Sequence, residues 1–296
     1  MNKILKEKES SAIEFLRAME RPEGYHLAFS GGKDSCIIKY LAEKSGVKYN
    51  AVYRVTSVDP PDLVNFIKNQ HPDVKREIPH DKDGNPITMW SLIWKQKILP
   101  MRISRFCCQY LKEDSGDGKM CITGVRWAES VNRSKNQGLV MMRKPSDELL
   151  ENENFKQTEK GGVILVNDNA ESRRTIESCY KRHKTTINPI IDWSDSEVWQ
   201  YIRSEKIPYC SLYDNGFHRL GCIGCPMASY SEKMHEFALW PKYKEKYIRM
   251  ADKITQYRIE HNMTVKYKTG EEYFERWIEN PELPGQLSIF DEDAED

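Results

Sequence analysis

One segment with two adjacent glycines, Ser30-Gly31-Gly32-Lys33-Asp34-Ser35, constrains the fold of this chain more than any other. The apolar residues 25–29 before it predict a buried strand, and residues 36–44 after it place apolar side chains at helical spacing. In the order strand, glycine turn, helix, the backbone can approach a ligand closely and the first helical N–H groups face an anion. The segment therefore predicts a phosphate-binding loop, and its six residues are the candidate contacts.

The alternation of strands and helices continues beyond this loop. Residues 49–56 alternate apolar and polar side chains, and Asp59-Pro60-Pro61 is typical of a helix start, which predicts a helix over 60–69. This order favours an α/β fold with a doubly wound, mostly parallel sheet, flanking helices and ligands at the carboxyl ends of its strands. An apolar stripe at 243–257 adds a C-terminal helical lobe.

A second anion-binding edge is expected where a short strand over 121–125 contains Gly124 and is followed by Arg126 and Arg133. The alternative is that these arginines form ordinary surface ion pairs. The basic segment 172–184 is likewise either a solvated helix face or a phosphate-binding rim. These residues thus extend the candidate site beyond the first loop.

Other stretches predict connections. Residues 71–88 are rich in turn formers and are expected to be a surface excursion, and the polar stretch 145–159 is expected to be an exposed loop or insertion. Ser194 followed by Glu197 is a capping box that starts a helix. The predicted organisation is an N-terminal helix (1–20), a nucleotide-binding domain with its cysteines (21–230), a helical extension (231–280) and an acidic tail (281–296).

Composition limits the compartment and the partners. Lys and Arg total 45 and balance 45 Asp and Glu, so a nucleic-acid contact would need a local patch. No apolar run approaches the length of a membrane span, and the first residues lack the apolar stretch of a secretion signal, so a cytoplasmic location is expected. Eight cysteines in a reducing compartment favour metal or redox ligands over disulfides.

Four blocks in order, Ser30–Ser35, Gly124–Arg133, Asn188–Trp199 and Leu212–Cys225, resemble the PP-loop (adenine nucleotide alpha hydrolase) superfamily. The similarity is to its phosphoadenosine phosphosulfate reductase branch. It implies an adenine nucleotide at the sheet edge with its phosphates on the first block. In members that use ATP, attack at the α-phosphorus releases pyrophosphate.

The resemblance also implies roles for single residues. Lys33 would neutralise phosphate charge, and Ser30 and Ser35 would donate hydroxyl hydrogen bonds. Asp34 would either orient the loop or help to hold Mg²⁺. The two arginines of the second block, beside Gly124, would contact the phosphate or sulfate end of the ligand. The implied catalytic residues are Lys33, Asp34, Ser35 and Arg126.

In the subset resembling adenosine 5′-phosphosulfate reductases and DNA-phosphorothioation ATP pyrophosphatases, a vicinal cysteine pair and a later Cys-x-x-Cys hold a four-iron four-sulfur cluster. The matching residues here are Cys107, Cys108, Cys222 and Cys225. Four thiolates suit such a cluster, and they also suit structural zinc. The remaining cysteines are expected to pack as small apolar side chains. They are Cys36, Cys121, Cys179 and Cys210.

The reductases that the chain resembles carry a catalytic cysteine near their C-terminus, and this sequence has no cysteine after Cys225. The resemblance therefore favours an ATP pyrophosphatase that activates an acceptor, such as nucleic acid, for sulfur from a donor protein. The alternatives are a sulfonucleotide reductase that makes sulfite and a non-catalytic nucleotide- and cluster-binding module tethered to the DNA replication machinery. Residues Gln286-Leu287-Ser288-Ile289-Phe290 resemble a motif that docks to the DNA sliding clamp, although such a stretch also packs on its own domain.

Overall fold

The computed structural model describes residues 2–113, 116, 118–143, 145–180 and 184–279. They form two compact units. The first comprises the described parts of 1–55, 61–78 and 114–221, and the second comprises 56–60, 79–113 and the described residues from 222 onward. The predicted domain boundaries follow chain order, whereas these units interleave along the chain, and the boundaries stay a prediction. The clamp-like motif Gln286–Phe290 and the basic residues 181–183 lie outside the described residues.

The first unit is built on an eight-stranded sheet. Its strands are β1 (Tyr25–Ala28), β2 (Tyr49–Arg54), β3 (Lys75–Glu77), β4 (Cys121–Ile122), β5 (Val140–Met142), β6 (Phe155–Gln157), β7 (Val163–Leu165) and β8 (Thr185–Ile187). Their order across the sheet is β3-β2-β1-β4-β8-β5-β7-β6. The first five in that order are parallel, and β5, β7 and β6 add an antiparallel edge.

Twelve α-helices accompany the sheet in the described residues. They are α1 (Lys3–Met19), α2 (Lys33–Ser45), α3 (Pro61–Gln70), α4 (Met89–Gln96), α5 (Phe106–Cys108), α6 (Val131–Asn136), α7 (Asp147–Glu151), α8 (Ala170–Cys179), α9 (Asp195–Glu205), α10 (Tyr230–Leu239), α11 (Pro241–Glu260) and α12 (Gly270–Glu279). The predicted fold class, a mostly parallel doubly wound sheet with flanking helices and a helical C-terminal region, is confirmed. None of the described helices is both long enough and apolar enough to cross a membrane.

β1 lies inside the parallel part of the sheet and carries the glycine loop at its carboxyl end. Leu27 of β1 is opposite Ala51 of β2 and Ile122 of β4, and all three side chains are buried. The α1 helix packs beside α2, and the Tyr25 hydroxyl donates to the carbonyl oxygen of Leu16 (2.7 Å). Buried apolar contacts on both sides thus fix the strand that positions the loop.

Two stretches predicted as connections contain regular structure. The segment 71–88 includes β3, and the segment 145–159 includes α7 and β6. Each of these elements has only three to five residues, which is too few to show a hydrophobic period in the sequence. The two strands form because neighbouring strands supply their backbone partners, as β2 does for β3 and β7 for β6.

The second unit packs its helices around Tyr247 of α11. The Tyr247 ring stacks on Trp277 of α12 at 4.9 Å and meets Phe237 of α10 edge-on at 5.7 Å. Its buried hydroxyl donates to the carbonyl oxygen of Ile223 (3.1 Å). This aromatic cluster explains the apolar stripe of the sequence as packing, as the helical period predicts.

Gly31 offers a direct test of how tightly the glycine loop is packed. Its φ is +75°, and a Cβ atom there would lie 2.7 Å from Leu63 and 2.8 Å from Ile67 of α3. We expect Gly31→Ala to lower the free energy of unfolding by about 2–4 kcal/mol, from left-handed strain plus overpacking. Urea denaturation of the purified variant measures this change.

The matched control is Gly46→Ala. Gly46 follows α2 with φ +74°, and no atom lies within 4 Å of the position that an added methyl group would take. We therefore expect only the conformational cost of about 1 kcal/mol. Equal losses in the two variants would contradict the close packing of Gly31 on α3.

Candidate functional site

The loop Ser30–Ser35 closes on itself through hydroxyl groups at the start of α2. Ser35 Oγ donates to the carbonyl oxygen of Gly32 (2.8 Å), and Ser30 Oγ donates to Ser35 Oγ (3.2 Å). The backbone N–H of Gly32 in turn donates to Ser30 Oγ (3.3 Å). The two serines therefore shape the loop, and the N-terminal end of α2 provides its positive dipole.

Tyr213 completes the loop from a different part of the first unit. Its hydroxyl oxygen accepts the backbone N–H of Lys33 (3.0 Å), and the Lys33 Nζ lies 5.8 Å from the centre of its ring. Burial raises the pKa of Tyr213 well above its usual range, so the phenol stays protonated. Tyr213 thus occupies a helix N–H that an anion at this loop would compete for.

Arg126 is fully buried and joins the loop to α9. Its Nε donates to Asp34 Oδ1 (2.7 Å), its Nη2 to Asp195 Oδ1 (2.7 Å) and its Nη1 to the carbonyl oxygen of Trp193 (3.0 Å). A guanidinium fork with three acceptors holds both carboxylates in fixed positions. Arg126 therefore orients Asp34 directly.

Lys33 belongs to the same ionic network. Its Nζ lies 3.3 Å from Asp34 Oδ2 and 3.8 Å from Asp195 Oδ1, and the residue is buried. Gly124 borders this network, because a Cβ atom there would come within about 3.0 Å of the Asp34 backbone and side chain. The structure thus brings Lys33, Asp34, Gly124 and Arg126 together, and their part in binding a ligand stays a prediction.

Arg133 lies apart from this network. Its side chain is exposed and pairs with Glu129 on the surface. Glu129 also accepts the backbone N–H of Arg126 (2.9 Å), which is the link between the two arginines. In this structure the second block therefore supplies one buried and one exposed arginine, and contact of either with a phosphate stays a prediction.

Sequence reasoning missed Asp195 and Tyr213 as members of the site. Asp195 follows the N-cap Ser194 at the start of α9, and its sequence context is that of a simple capping box. The two residues lie in the third and fourth blocks of the resemblance, Asn188–Trp199 and Leu212–Cys225. Their position in those blocks is the signal that could have identified them.

The four predicted metal-ligand cysteines all belong to the second unit. Cys107 is buried in α5, and the partly buried Cys108 and Cys222 pack against the same apolar cluster. The N–H of Cys225 donates to the carbonyl oxygen of Cys222 (3.1 Å), which closes the Cys-x-x-Cys turn. The fold therefore gathers into one unit thiols that are more than a hundred residues apart in sequence.

The electrostatics of these thiols reflect their proximity. A hydrogen bond with Cys108, burial and the charges of the other three cysteines raise the pKa of Cys107. Burial raises the pKa of Cys222, opposed by the nearby Lys112 ammonium. Among the described residues, no group of three or more cysteine, histidine or acidic side chains is arranged around a common metal position. The four thiols match the donor type and number of a four-thiolate centre, and binding of a metal by them stays a prediction.

The buried Arg126 makes a testable contribution to stability. Arg126→Gln leaves Asp34 and Asp195 without their guanidinium partner, and we expect the free energy of unfolding to fall by about 2–4 kcal/mol. Arg133→Gln is the matched control, since its pair with Glu129 is exposed and worth at most about 1 kcal/mol. Chemical denaturation of both variants compares the two losses. A loss for Arg126→Gln no larger than the control's would show that the buried network is not a stabilising element.

The chain is similar to known proteins of one family. The chain is 24% identical to an uncharacterized protein of Methanocaldococcus jannaschii over 80% of its own length and 42% of that protein's, so it spans less than half of this relative. It is 26% identical to an adenosine 5′-phosphosulfate reductase of Oceanobacillus iheyensis over 67% of the chain and 69% of the relative.

Among solved structures, phosphoadenylyl-sulfate reductase from Candida auris in a phosphate complex is similar, with TM-score 0.44 and 14% identity over 75% of this chain and 96% of the other. Residues 24–228 match the phosphoadenosine phosphosulfate reductase domain, which covers the glycine loop, the ionic network and all four clustered cysteines. The chain belongs to the phosphoadenosine phosphosulfate reductase domain family.

Proposed function

We propose that the chain is an ATP pyrophosphatase that adenylates an acceptor. An acceptor oxygen attacks the α-phosphorus of ATP, the new P–O bond forms, and the bond to the β-phosphate breaks to release pyrophosphate. The observation that carries the proposal is the buried Lys33 ammonium beside the start of α2, held by Asp34 and by the network of Arg126. A positive side chain next to a helix N-terminus suits the triphosphate of a nucleotide.

The ionic network assigns distinct roles to its members. Lys33 neutralises negative charge that develops on the phosphates, and Ser30, Ser35 and the glycine backbone shape the loop that receives them. Asp34, oriented by Arg126 at 2.7 Å, is the side chain best placed to hold Mg²⁺ with the nucleotide, since carboxylate oxygens are the ligands that this ion prefers. Arg126 acts through Asp34 as a positioning residue.

The cysteines of the first unit, which lie outside the four-cysteine set, favour adenylation over sulfate reduction. A reductase needs an accessible thiolate to attack the sulfate sulfur. Cys36 and Cys210 are buried, and burial raises the pKa of both. Cys121 is also buried, so none of these three is suited to that attack, while the side chain of Cys179 lies outside the described part of the chain.

Sulfonucleotide reduction is the second candidate, and the comparisons favour it. The matched domain family and the relative from Oceanobacillus iheyensis both carry reductase names. Sulfite formed from adenosine 5′-phosphosulfate with a thiol donor, and lost on mutation of a single cysteine, would support this activity.

We propose that Cys107, Cys108, Cys222 and Cys225 hold a four-iron four-sulfur cluster, with zinc as the alternative metal. Such a cluster supplies a redox-active or structural centre that cross-links distant segments. Its thiolates would come from α5 and from the Cys-x-x-Cys turn, and the Lys112 ammonium beside Cys222 would offset their negative charge.

The proposed acceptor is nucleic acid, with sulfur delivered by a separate donor protein.

The nucleotide chemistry is tested by pyrophosphate release. Anaerobically purified protein with ATP, Mg²⁺ and candidate nucleic acids should release pyrophosphate, and Lys33→Gln should lower the rate by about 100-fold or more because one preorganised charge is lost. The exposed Lys48 of the same unit provides the control Lys48→Gln, for which we expect an unchanged rate. No ATP binding and no pyrophosphate from the wild-type protein would contradict the proposal.

The metal centre is tested by metal content and visible absorption. Anaerobically purified protein should contain about four iron and four sulfide per chain, and Cys222→Ser should lose most of both. Cys210→Ser, which removes a buried thiol of the first unit, should retain them. A colourless wild-type protein that binds one zinc would replace the cluster by a zinc site.

A further inference from the structure

We propose that an aromatic groove of the second unit binds single-stranded nucleic acid. The groove lies between α4 and α11, has a volume of about 490 Å³, and is lined among others by Trp90, Trp94, Met250, Lys253, Tyr257 and Glu260. The inference deepens the proposed function by narrowing the proposed nucleic-acid acceptor to single strands, and in that respect rests on it. It stands on contacts within the second unit alone.

The rings of the groove form a preorganised surface. Trp94 and Tyr257 meet edge-to-face at 5.7 Å, and Trp90 packs against the buried Tyr247 at 5.0 Å. Trp94 nevertheless keeps 42% of its surface exposed. An exposed tryptophan whose orientation is fixed by a second ring is a surface on which a flat base can stack at little entropic cost.

Positive charge accompanies these rings. The Lys97 Nζ lies 3.1 Å from the centre of the Trp94 ring and 4.3 Å from that of Tyr257, and the Lys246 Nζ lies 4.4 Å from the centre of Trp90. The α11 helix carries six basic side chains against three acidic ones, one of which, Glu260, lines the groove. The surface therefore combines stacking faces with cations that can meet a nucleotide's base and phosphate together.

The same contacts discriminate between ligand classes. Lysine ammonium groups already lie near the faces of all three rings, so a cationic peptide or a quaternary ammonium would meet like charge there. An anionic chain with exposed bases meets the opposite charge and apolar faces. Duplex DNA offers phosphates but keeps its base faces stacked, which leaves single strands as the occupant.

Binding is tested with the full chain in the absence of ATP, by fluorescence anisotropy of labelled DNA and RNA single strands of about 20 nucleotides. We expect Trp94→Leu to weaken binding by about tenfold, because base–aromatic stacking is lost while apolar bulk is kept. The control Tyr230→Leu removes another exposed aromatic ring of the same unit, 52% exposed at the start of α10, and should leave the affinity unchanged.

Salt dependence supplies an independent readout that does not rely on Trp94. Lys97→Gln should reduce the slope of log affinity against log salt by about 0.7 for one lost phosphate contact. The exposed Lys82 lies in a turn of the same unit, and Lys82→Gln should leave the slope unchanged. A melting curve for each variant confirms that the fold is retained.

Three outcomes would overturn the inference. They are no detectable binding of single strands, equal weakening by Trp94→Leu and Tyr230→Leu, and duplex bound as tightly as single strands with no effect of Trp94→Leu. Pyrophosphate release is measured separately. Release with a small acceptor but without strand binding would reject the groove alone, whereas strand binding without pyrophosphate would reject the adenylation chemistry alone.

Discussion

The ion pair between the buried Arg126 and Asp34 is the interaction on which the glycine loop depends. A guanidinium group that is buried away from water is costly unless its N–H groups are hydrogen-bonded. Arg126 donates hydrogen bonds to Asp34, to Asp195 and to the Trp193 carbonyl oxygen. Because Asp34 is thereby fixed, its second oxygen is available at 3.3 Å to the Lys33 ammonium. The orientation of the loop lysine thus follows from an arginine more than ninety residues away in sequence.

Much of this arrangement could be predicted from the sequence because the signals were local. The glycine pair after an apolar strand predicts a turn followed by a helix. In the structure the two glycines lie between β1 and α2. Gly124 and Arg126 were predicted as site residues for the same reason, since they follow another short strand, and the structure places them beside Asp34. Asp195 and Tyr213 were missed because their roles arise only from tertiary contacts, and the local pattern around Asp195 is fully explained by helix capping.

The spacing of the cysteines predicts that they share a centre but does not predict which metal they bind. Two close pairs predict a shared centre, and the fold does bring Cys107, Cys108, Cys222 and Cys225 into one unit with mutual electrostatic effects. Spacing alone does not distinguish iron–sulfur from zinc, since both use four thiolates. Strands β5 and β6 of the antiparallel part were missed for a different reason, because three-residue strands are defined by their partners and carry too little pattern of their own.

The ion pair of Lys33 also determines which interactions a bound nucleotide would have to replace. In the structure Lys33 is already neutralised by Asp34, and the adjacent helix N–H is already bonded to Tyr213. A polyphosphate that takes over both donors leaves Asp34 with Arg126 as its main partner and an oxygen facing the incoming negative charge. Asp34 would hold a divalent cation there, and the positive charge of that ion would offset the repulsion between the carboxylate and the phosphates. The network therefore predicts that nucleotide binding and Mg²⁺ binding are strongly coupled, with Asp34 as the residue through which the coupling passes.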